Sequence, residues 1–483
     1  MKTIILKAVS DKQYLINRKY WFLLTSTCRL IAKRLRLSST ADAKRYAGSA
    51  FSYSISFGDT KMRSTIGTIA LTTFVFFSST LHADVRCGQS RPSKQDVERS
   101  TANLDTANFL NHIRDEFAGD FKGYAVILTG AAGQRLGFRR EGWAVDPCDA
   151  TGVRFDLNTE SAIGSVTKLF TTVAVLKATN DQARLQRPLT DFLPFRWWSL
   201  ADPFYNTVTI EKLLQHKGGF VKSGGGKHIT TRLADGRERS ATDYASMPRF
   251  YSNTSMGIFH FIYAKYAFYS TTFLNPKSLH DVEVEHQYSG LNTYNSEVQE
   301  VTSAAFNHGL YTQILKPLHI SATCDARIKK FPLPSSIKSP PNPPIEHFHF
   351  SSVARSYASP SDSDGTLLSS SMQNCAAGGL YMSTKDLAKF AASLGDNSFL
   401  PEASQNLMMN SGPEDNLYAF STIQAEGGRA FWQNGKRSEN GNVSYAVLIR
   451  FSSGATAVFI ANSDNDSTNT LNTIRDAYNM ARI

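Results

Sequence analysis

SAIGSVTKLFTT, residues Ser161 to Thr172, places a serine and a lysine three residues apart where small polar residues give way to a helix-like apolar pattern. Val166, Leu169, Phe170, Val173 and Leu176 fall on one face, which predicts a core-facing helix that starts beside Ser165. On such a helix residues three apart share a side, so the Lys168 amine can approach the Ser165 hydroxyl. The start of a helix favours developing negative charge, and its backbone amides can hold an oxyanion, a geometry suited to acyl transfer. The spacing does not discriminate by itself. Ser335 and Lys338 repeat it inside a proline-rich stretch, where no helix can present them. On this motif alone, Ser165 reads as a helix cap.

A second element changes that reading. Of the 19 tyrosines only Tyr251 has Asn two residues later, in FYSNTSMGIFHF, again beside a helix-like apolar segment. The positive charge of a buried lysine can favour the phenolate of a neighbouring tyrosine, which then serves as general base toward the serine. Asn253 could fix the lysine and hydrogen-bond a substrate amide.

With SVTK and YSN go further stretches in a fixed order: GWAVDPCDATGVRFDLNTESAIGSVTKLFTTVAVL, TIEKLLQHKGGF, YTQILKPLHI and AAGGLYMSTKDLAKFA. Together they resemble the serine β-lactamase and penicillin-binding-protein superfamily, in its class C, D-alanyl-D-alanine-carboxypeptidase and family VIII esterase branch. The resemblance runs over most of the chain from about Gly123. It implies Ser165 as acylated nucleophile, Lys168 as its activator and Tyr251 as the base.

The superfamily's third motif is Lys or His, a variable residue, then Gly, on a strand lining the cleft. The matching stretch, FWQNGKRSENGNVSYAVL, gives Gln433, Asn434 and Gly435, a departure. Gln433 can donate and accept hydrogen bonds but carries no charge, so anchoring of a substrate carboxylate and tuning of Tyr251 are both weakened. Lys436 lies at an odd spacing from Gln433 and should point to the opposite face of a strand. Its backbone N–H is the more credible contribution, as partner to that of Ser165 in an oxyanion hole. Asn253, Gln433, Asn434, Gly435 and Lys436 are therefore the expected substrate-binding residues.

The fold class expected is α/β (α+β), a β-lactamase/transpeptidase-like antiparallel sheet flanked by helices with a mainly helical insertion. Gly123 to Val145 reads as a β-hairpin, and VSYAVLIRF and ATAVFIAN as two late strands before a helix from Thr468 to Met480. Ser383 or Thr384 is the expected cap of the helix in STKDLAKFAASL. The α/β part takes about 100–165 and 375–483, the insertion about 166–330, and a Pro/Ser-rich loop 331–371, all within a hydrolase domain of 84–483.

A formal charge of +11 suggests nucleic acid or membrane until its location is considered. Met1 to Ala83 holds 13 basic and three acidic residues, leaving 39 basic and 38 acidic in the remainder, so the body is near neutral. Lys61-Met62-Arg63, then Ile66 to Phe77, then SSTLHA ending in the small residue Ala83 follow the charged, apolar and small-residue order of a secretory signal peptide. This predicts a signal at 62–83, an upstream extension at 1–61 outside the fold, and an exported, periplasmic or secreted protein with no stable membrane span after cleavage. Cleavage leaves Cys87, Cys148, Cys324 and Cys375. Their order suggests Cys87 with Cys148 and Cys324 with Cys375, though three connectivities are possible.

Competing motifs fail on their own terms. Ser165 has Ile163 two positions before it, not the glycine of a nucleophile elbow. The glycines 224–226 before Lys227 lack the first glycine and the final Ser or Thr of a phosphate loop. His347 and His349 have only Glu346 nearby as a third zinc ligand, so two solvated loop histidines explain them better. A glycan on the sequon at Asn253 would block the site, which argues for a bacterial setting; Asn442 and Asn465 begin the other sequons. The expectation is an exported serine hydrolase, with no metal, no cofactor and no nucleic-acid partner. It would form an acyl-enzyme on a small-molecule or peptidoglycan-like ester or amide. A β-lactam, a D-Ala peptide and a small ester all remain open, as does the oligomeric state. The alternative is a weakly active or inactive protein of the same fold with a binding role.

Overall fold

In a computed structural model of the chain, residues 91–149, 152–179, 182–220, 229–234, 249–268, 278–286, 290–324, 353–369, 372–409, 413, 417–463 and 467–483 are described. The leader, Cys28, Cys87, the Lys222–Lys227 glycines, Ser335, Lys338, the histidines 347 and 349, and Asn465 lie outside them.

The chain enters through β1 (Ser93–Val97), α1 (Thr106–Glu116), β2 (Gly123–Thr129), β3 (Arg135–Val145), β4 (Val153–Arg154) and β5 (Glu160–Ala162). A single 3-10 turn, Gly164–Val166, leads into α2 (Thr167–Thr179). Of the helices that follow, α3 (Asn253–Gly257) carries Asn253, and α4 (Phe259–Phe268) and α5 (Leu291–Leu310) pack against α2. No strand occurs among the described residues between α2 and β6 (Ala322–Thr323). β7 (Tyr381–Ser383) and α6 (Thr384–Ser393) return the chain to the sheet, which β8 (Ser421–Ala425), β9 (Gly428–Glu439), β10 (Asn442–Arg450) and β11 (Thr456–Ala461) complete before α7 (Ser467–Ala481).

The large sheet is antiparallel, in the order β1-β3-β2-β11-β10-β9-β8, so both ends of the chain build it. β2 is buried along its whole length. Its alternate residues serve two cores: Tyr124, Val126 and Leu128 pack beneath α1 and α7, while Ala125 and Ile127 face the core around α2. β9 and β10 meet at Asn440 and Gly441, whose φ values of +53° and +86° are those of a two-residue hairpin turn. That turn sets Glu439 opposite Asn442 and, back along β9, Gly435 opposite Ala446 and Gln433 opposite Leu448.

α2 departs from the single apolar face expected, because it is buried nearly all round. Its polar side chains are satisfied inside: Thr171 Oγ1 donates to Ala376 O at 2.7 Å and Thr172 Oγ1 to Lys168 O at 2.9 Å. Ser383 caps α6, its Oγ accepting from Asp386 N at 3.1 Å. Ser-rich chain beyond the prolines packs into the body, with Val353, Tyr357 and Leu368 buried and Tyr357 bridged to Val443.

Cys324 and Cys375 form a disulfide with 5.5 Å between Cα atoms, as sequence order suggested. Cys148 is also disulfide-bonded; Cys87, its expected partner, lies outside the described residues. No helix among the described residues is long and apolar enough to cross a membrane.

Candidate active site

Ser165 sits in the 3-10 turn that joins β5 to α2. Two glycines make its setting. Gly164 has φ +50°, and a Cβ there would come within 2.8 Å of Lys436 N. A Cβ on Gly435 would strike Ile163 O and lie 2.6 Å from Ser165 N. The middle of β9 therefore lies directly against the backbone of the serine, which no larger residue permits.

Lys168, one turn on, is fully buried. Its Nζ donates to Ser165 Oγ at 2.9 Å, to Asn253 Oδ1 at 2.7 Å and to Ala377 O at 2.6 Å. Three acceptors use all three N–H bonds of an ammonium, yet none is charged, and burial pulls its pKa down to about 7. Near neutral pH a substantial share of Lys168 is the free amine, which can take a proton from Ser165.

Asn253 is presented by the first turn of α3, capped by Ser252, whose Oγ accepts from Ser255 N at 3.2 Å. Tyr251 precedes that cap, with Lys168 Nζ 4.9 Å from its ring centroid. The residue is 44 % exposed. Its hydroxyl end is nonetheless crowded enough that desolvation, the largest influence, raises its pKa. Hydrogen bonds to Ser165 and Gln433 and the charge of Arg249 oppose this without reversing it. The phenolate expected from the sequence is thus disfavoured. A lysine driven toward neutrality, lying over the ring face, brings too little charge to hold it.

Gln433, buried on β9, is in the site, donating from Nε2 to Asn434 O at 2.8 Å and bonded to Tyr251. The two neighbours at odd spacing from it, both expected to bind substrate, diverge from it. Asn434 turns to the other core, donating from Nδ2 to Tyr445 OH at 3.2 Å, so its side chain does not face the cleft. The Lys436 side chain is exposed on that same opposite face, while its backbone N adjoins Gly164 as expected.

One participant escaped the sequence reading. His216, 2 % exposed with φ +60°, accepts from Ser252 N at Nδ1 over 3.3 Å, and its ring centroid lies 4.8 Å from that of Tyr251. Burial, then the charges of Lys168 and Arg249, pushes its pKa down to about 3, so it supports the Tyr251 turn as a neutral ring. Its place in LLQHKGGF, before two glycines, was the available signal. Among the described residues no group of His, Cys, Asp and Glu is placed to hold a metal ion.

The Beta-lactamase family model matches residues 117–275, a span that contains both Ser165 and Tyr251. No curated protein matches. Among solved structures, a class C β-lactamase from Rhodobacter sphaeroides is 15% identical at a TM-score of 0.50, covering 78% of this chain and 98% of that one. A β-lactamase/D-alanine carboxypeptidase from Pseudomonas syringae is also 15% identical, at 0.51, covering 76% and 97%. An octameric penicillin-binding protein homologue from Pyrococcus abyssi is 17% identical, at 0.51, covering 77% and 76%. At these identities the likeness is one of fold, which is the β-lactamase/transpeptidase fold expected from the sequence.

Proposed function

Starting from a chain with the fold of the serine β-lactamase and penicillin-binding-protein superfamily, we propose that this protein is an exported serine hydrolase that forms an acyl-enzyme on an ester or amide. The observation that carries this is Lys168, buried among neutral acceptors with its pKa drawn to about 7 and its Nζ 2.9 Å from Ser165 Oγ. The free amine removes the Ser165 proton as Oγ attacks the acyl carbon. Negative charge developing on the carbonyl oxygen is held by the N–H groups of Ser165 and Lys436. Tyr251, a neutral phenol bonded to Ser165, passes a proton to the departing group, a role that its raised pKa suits better than that of a base. Asn253 and Ala377 O keep the lysine aimed. Water, losing a proton to the tyrosinate so formed, then attacks the acyl carbon, and the Lys168 ammonium returns its proton to Ser165 Oγ as the acyl group leaves.

Export is inferred from the order of residues 61–83 together with the disulfides. Domain limits of 84–483 for the hydrolase follow from the same reading. The acyl donor is a β-lactam, a D-alanyl peptide or a small ester.

One observation favours a second reading, a binding protein of this fold: Gln433 supplies no charge where the superfamily carries lysine or histidine. Turnover of a short-chain nitrophenyl ester and of a chromogenic cephalosporin by the parent and by Ser165→Ala separates the two. Hydrolysis of either that vanishes in the variant supports the enzyme. Equal rates for parent and variant on both would leave the binding role.

A further inference from the structure

We propose that Arg437 determines specificity by holding an anionic group, a carboxylate, on the acyl side of the substrate, an inference that rests on the serine-hydrolase reading above. Gln433, Gly435 and Arg437 occupy alternate positions on β9, so they share one face. The register identifies that face as the one carrying Ser165. Opposite them on β10 stand Leu448, Ala446 and Ser444. Leu448 and Ala446 belong to the core around α2, and Ser444 Oγ donates to Ala162 O at 2.7 Å, one residue before Ile163 and the nucleophile turn. Because Gly435 lies against Ser165 N, a strand rise of about 3.4 Å per residue places Gln433 and Arg437 roughly 7 Å to either side of the serine.

The two ends differ in charge and in neighbours. Gln433 is neutral and touches Tyr251, the proton donor to the leaving group, so its end is the leaving-group side. Arg437 therefore marks the acyl side. Its Nη1 lies 3.5 Å from Gly378 O, and its Nη2 donates to Ser369 O. Gly378 is a wall of the same cleft: it follows Ala377, whose carbonyl holds Lys168, and a Cβ on it would lie 4.0 Å from Ser165 N. Among the described residues no carboxylate pairs with Arg437. Glu439, next along the same face, instead accepts from Ser369 N. Two backbone carbonyls engage two of five guanidinium N–H groups, and a half-buried guanidinium whose bonds all go to neutral acceptors is matched to a planar carboxylate.

The test pairs nitrophenyl hemiglutarate, with a carboxylate on its acyl chain, against nitrophenyl valerate, with a neutral chain of similar length, and uses Ser165→Ala to subtract the background. The parent should prefer the hemiglutarate by kcat/KM, and high ionic strength should erode that preference. Arg437→Gln should lower the hemiglutarate-to-valerate ratio by about ten-fold or more, the size of one charge-assisted hydrogen bond, whereas Arg437→Lys, which keeps the charge but not the planar fork, should fall between the parent and Arg437→Gln. In a Ser165→Ala background, calorimetric affinity for glutaric acid monoamide should weaken similarly on adding Arg437→Gln. A ratio and an affinity unmoved by Arg437→Gln, or a parent preference insensitive to salt, would overturn the assignment. A parent that turns over neither ester, while the monoamide still depends on Arg437, would instead sink the hydrolase reading and leave the anion site standing.

Discussion

Lys168 Nζ lies 2.7 Å from Asn253 Oδ1, a bond that ties the start of α2 to the start of α3 across 85 residues of sequence. It fixes the amine between the serine and the Tyr251 turn, so the state of that amine should set the rate of acylation.

With the Lys168 pKa near 7, the free-amine fraction and hence the acylation rate should rise about ten-fold between pH 6 and pH 8, then level. Esterase kcat/KM against pH measures it directly. A flat profile across that range would exclude Lys168 as the base.

Stability should carry the same titration with a sign that can be worked out. Lys168 falls from an ordinary 10.5 to about 7, so between these values the unfolded chain binds the extra proton and stability rises with pH. Glu160, buried with Oε2 lacking a partner and facing Asp386, is raised by desolvation from 4.5 to about 8. Between those values the folded chain binds the extra proton, so stability falls as pH rises. Melting temperatures of Lys168→Met should lose the rise above pH 7, and those of Glu160→Gln the fall below pH 8. Parallel profiles for parent and variants would show that neither group titrates as its burial demands.

Tyr251→Phe should separate its role from that of the base. A nitrophenolate leaves without a proton, whereas an amine does not. The variant should therefore lose about 10²-fold or more on an amide or anilide and less than about ten-fold on the nitrophenyl ester, the usual range for a lost general acid. Equal losses on both would return Tyr251 to the role of base toward Ser165.

Much of this site was legible before any coordinates. SVTK and YSN picked out Ser165, Lys168, Tyr251 and Asn253, which the fold brings together, and the odd spacing of Lys436 foretold its direction. Residue order suggested the Cys324–Cys375 disulfide among three possible connectivities. What the sequence concealed depended on contacts between distant segments. Ala377 O joins Lys168 only because the chain after Cys375 is laid along α2, and His216 meets Ser252 only after Gln215 has ended its helix. The direction of the Tyr251 pKa depends on how tightly the hydroxyl is enclosed, which spacing cannot reveal. Asn434 illustrates the opposite failure: the same alternation that removed the Lys436 side chain from the cleft removes Asn434 as well.

Gln433→His should introduce a titratable charge on the leaving-group side. The preference for substrates with a carboxylate there, expressed as a ratio of kcat/KM to that of a neutral ester, should rise by about ten-fold at pH values where the imidazole is protonated. A ratio that does not move would indicate that the leaving-group side does not contact this position.

The central claim is that Ser165 is acylated with the help of Lys168, and intact-protein mass spectrometry after exposure to an alkyl fluorophosphonate tests it most directly. The parent should gain one phosphonyl adduct, mapped to the peptide that carries Ser165. Ser165→Ala should gain none, and Lys168→Met should react at least about 10²-fold more slowly, as a serine without its activating group does. A parent that stays unmodified, or one labelled equally in the Ser165→Ala variant, would contradict the account.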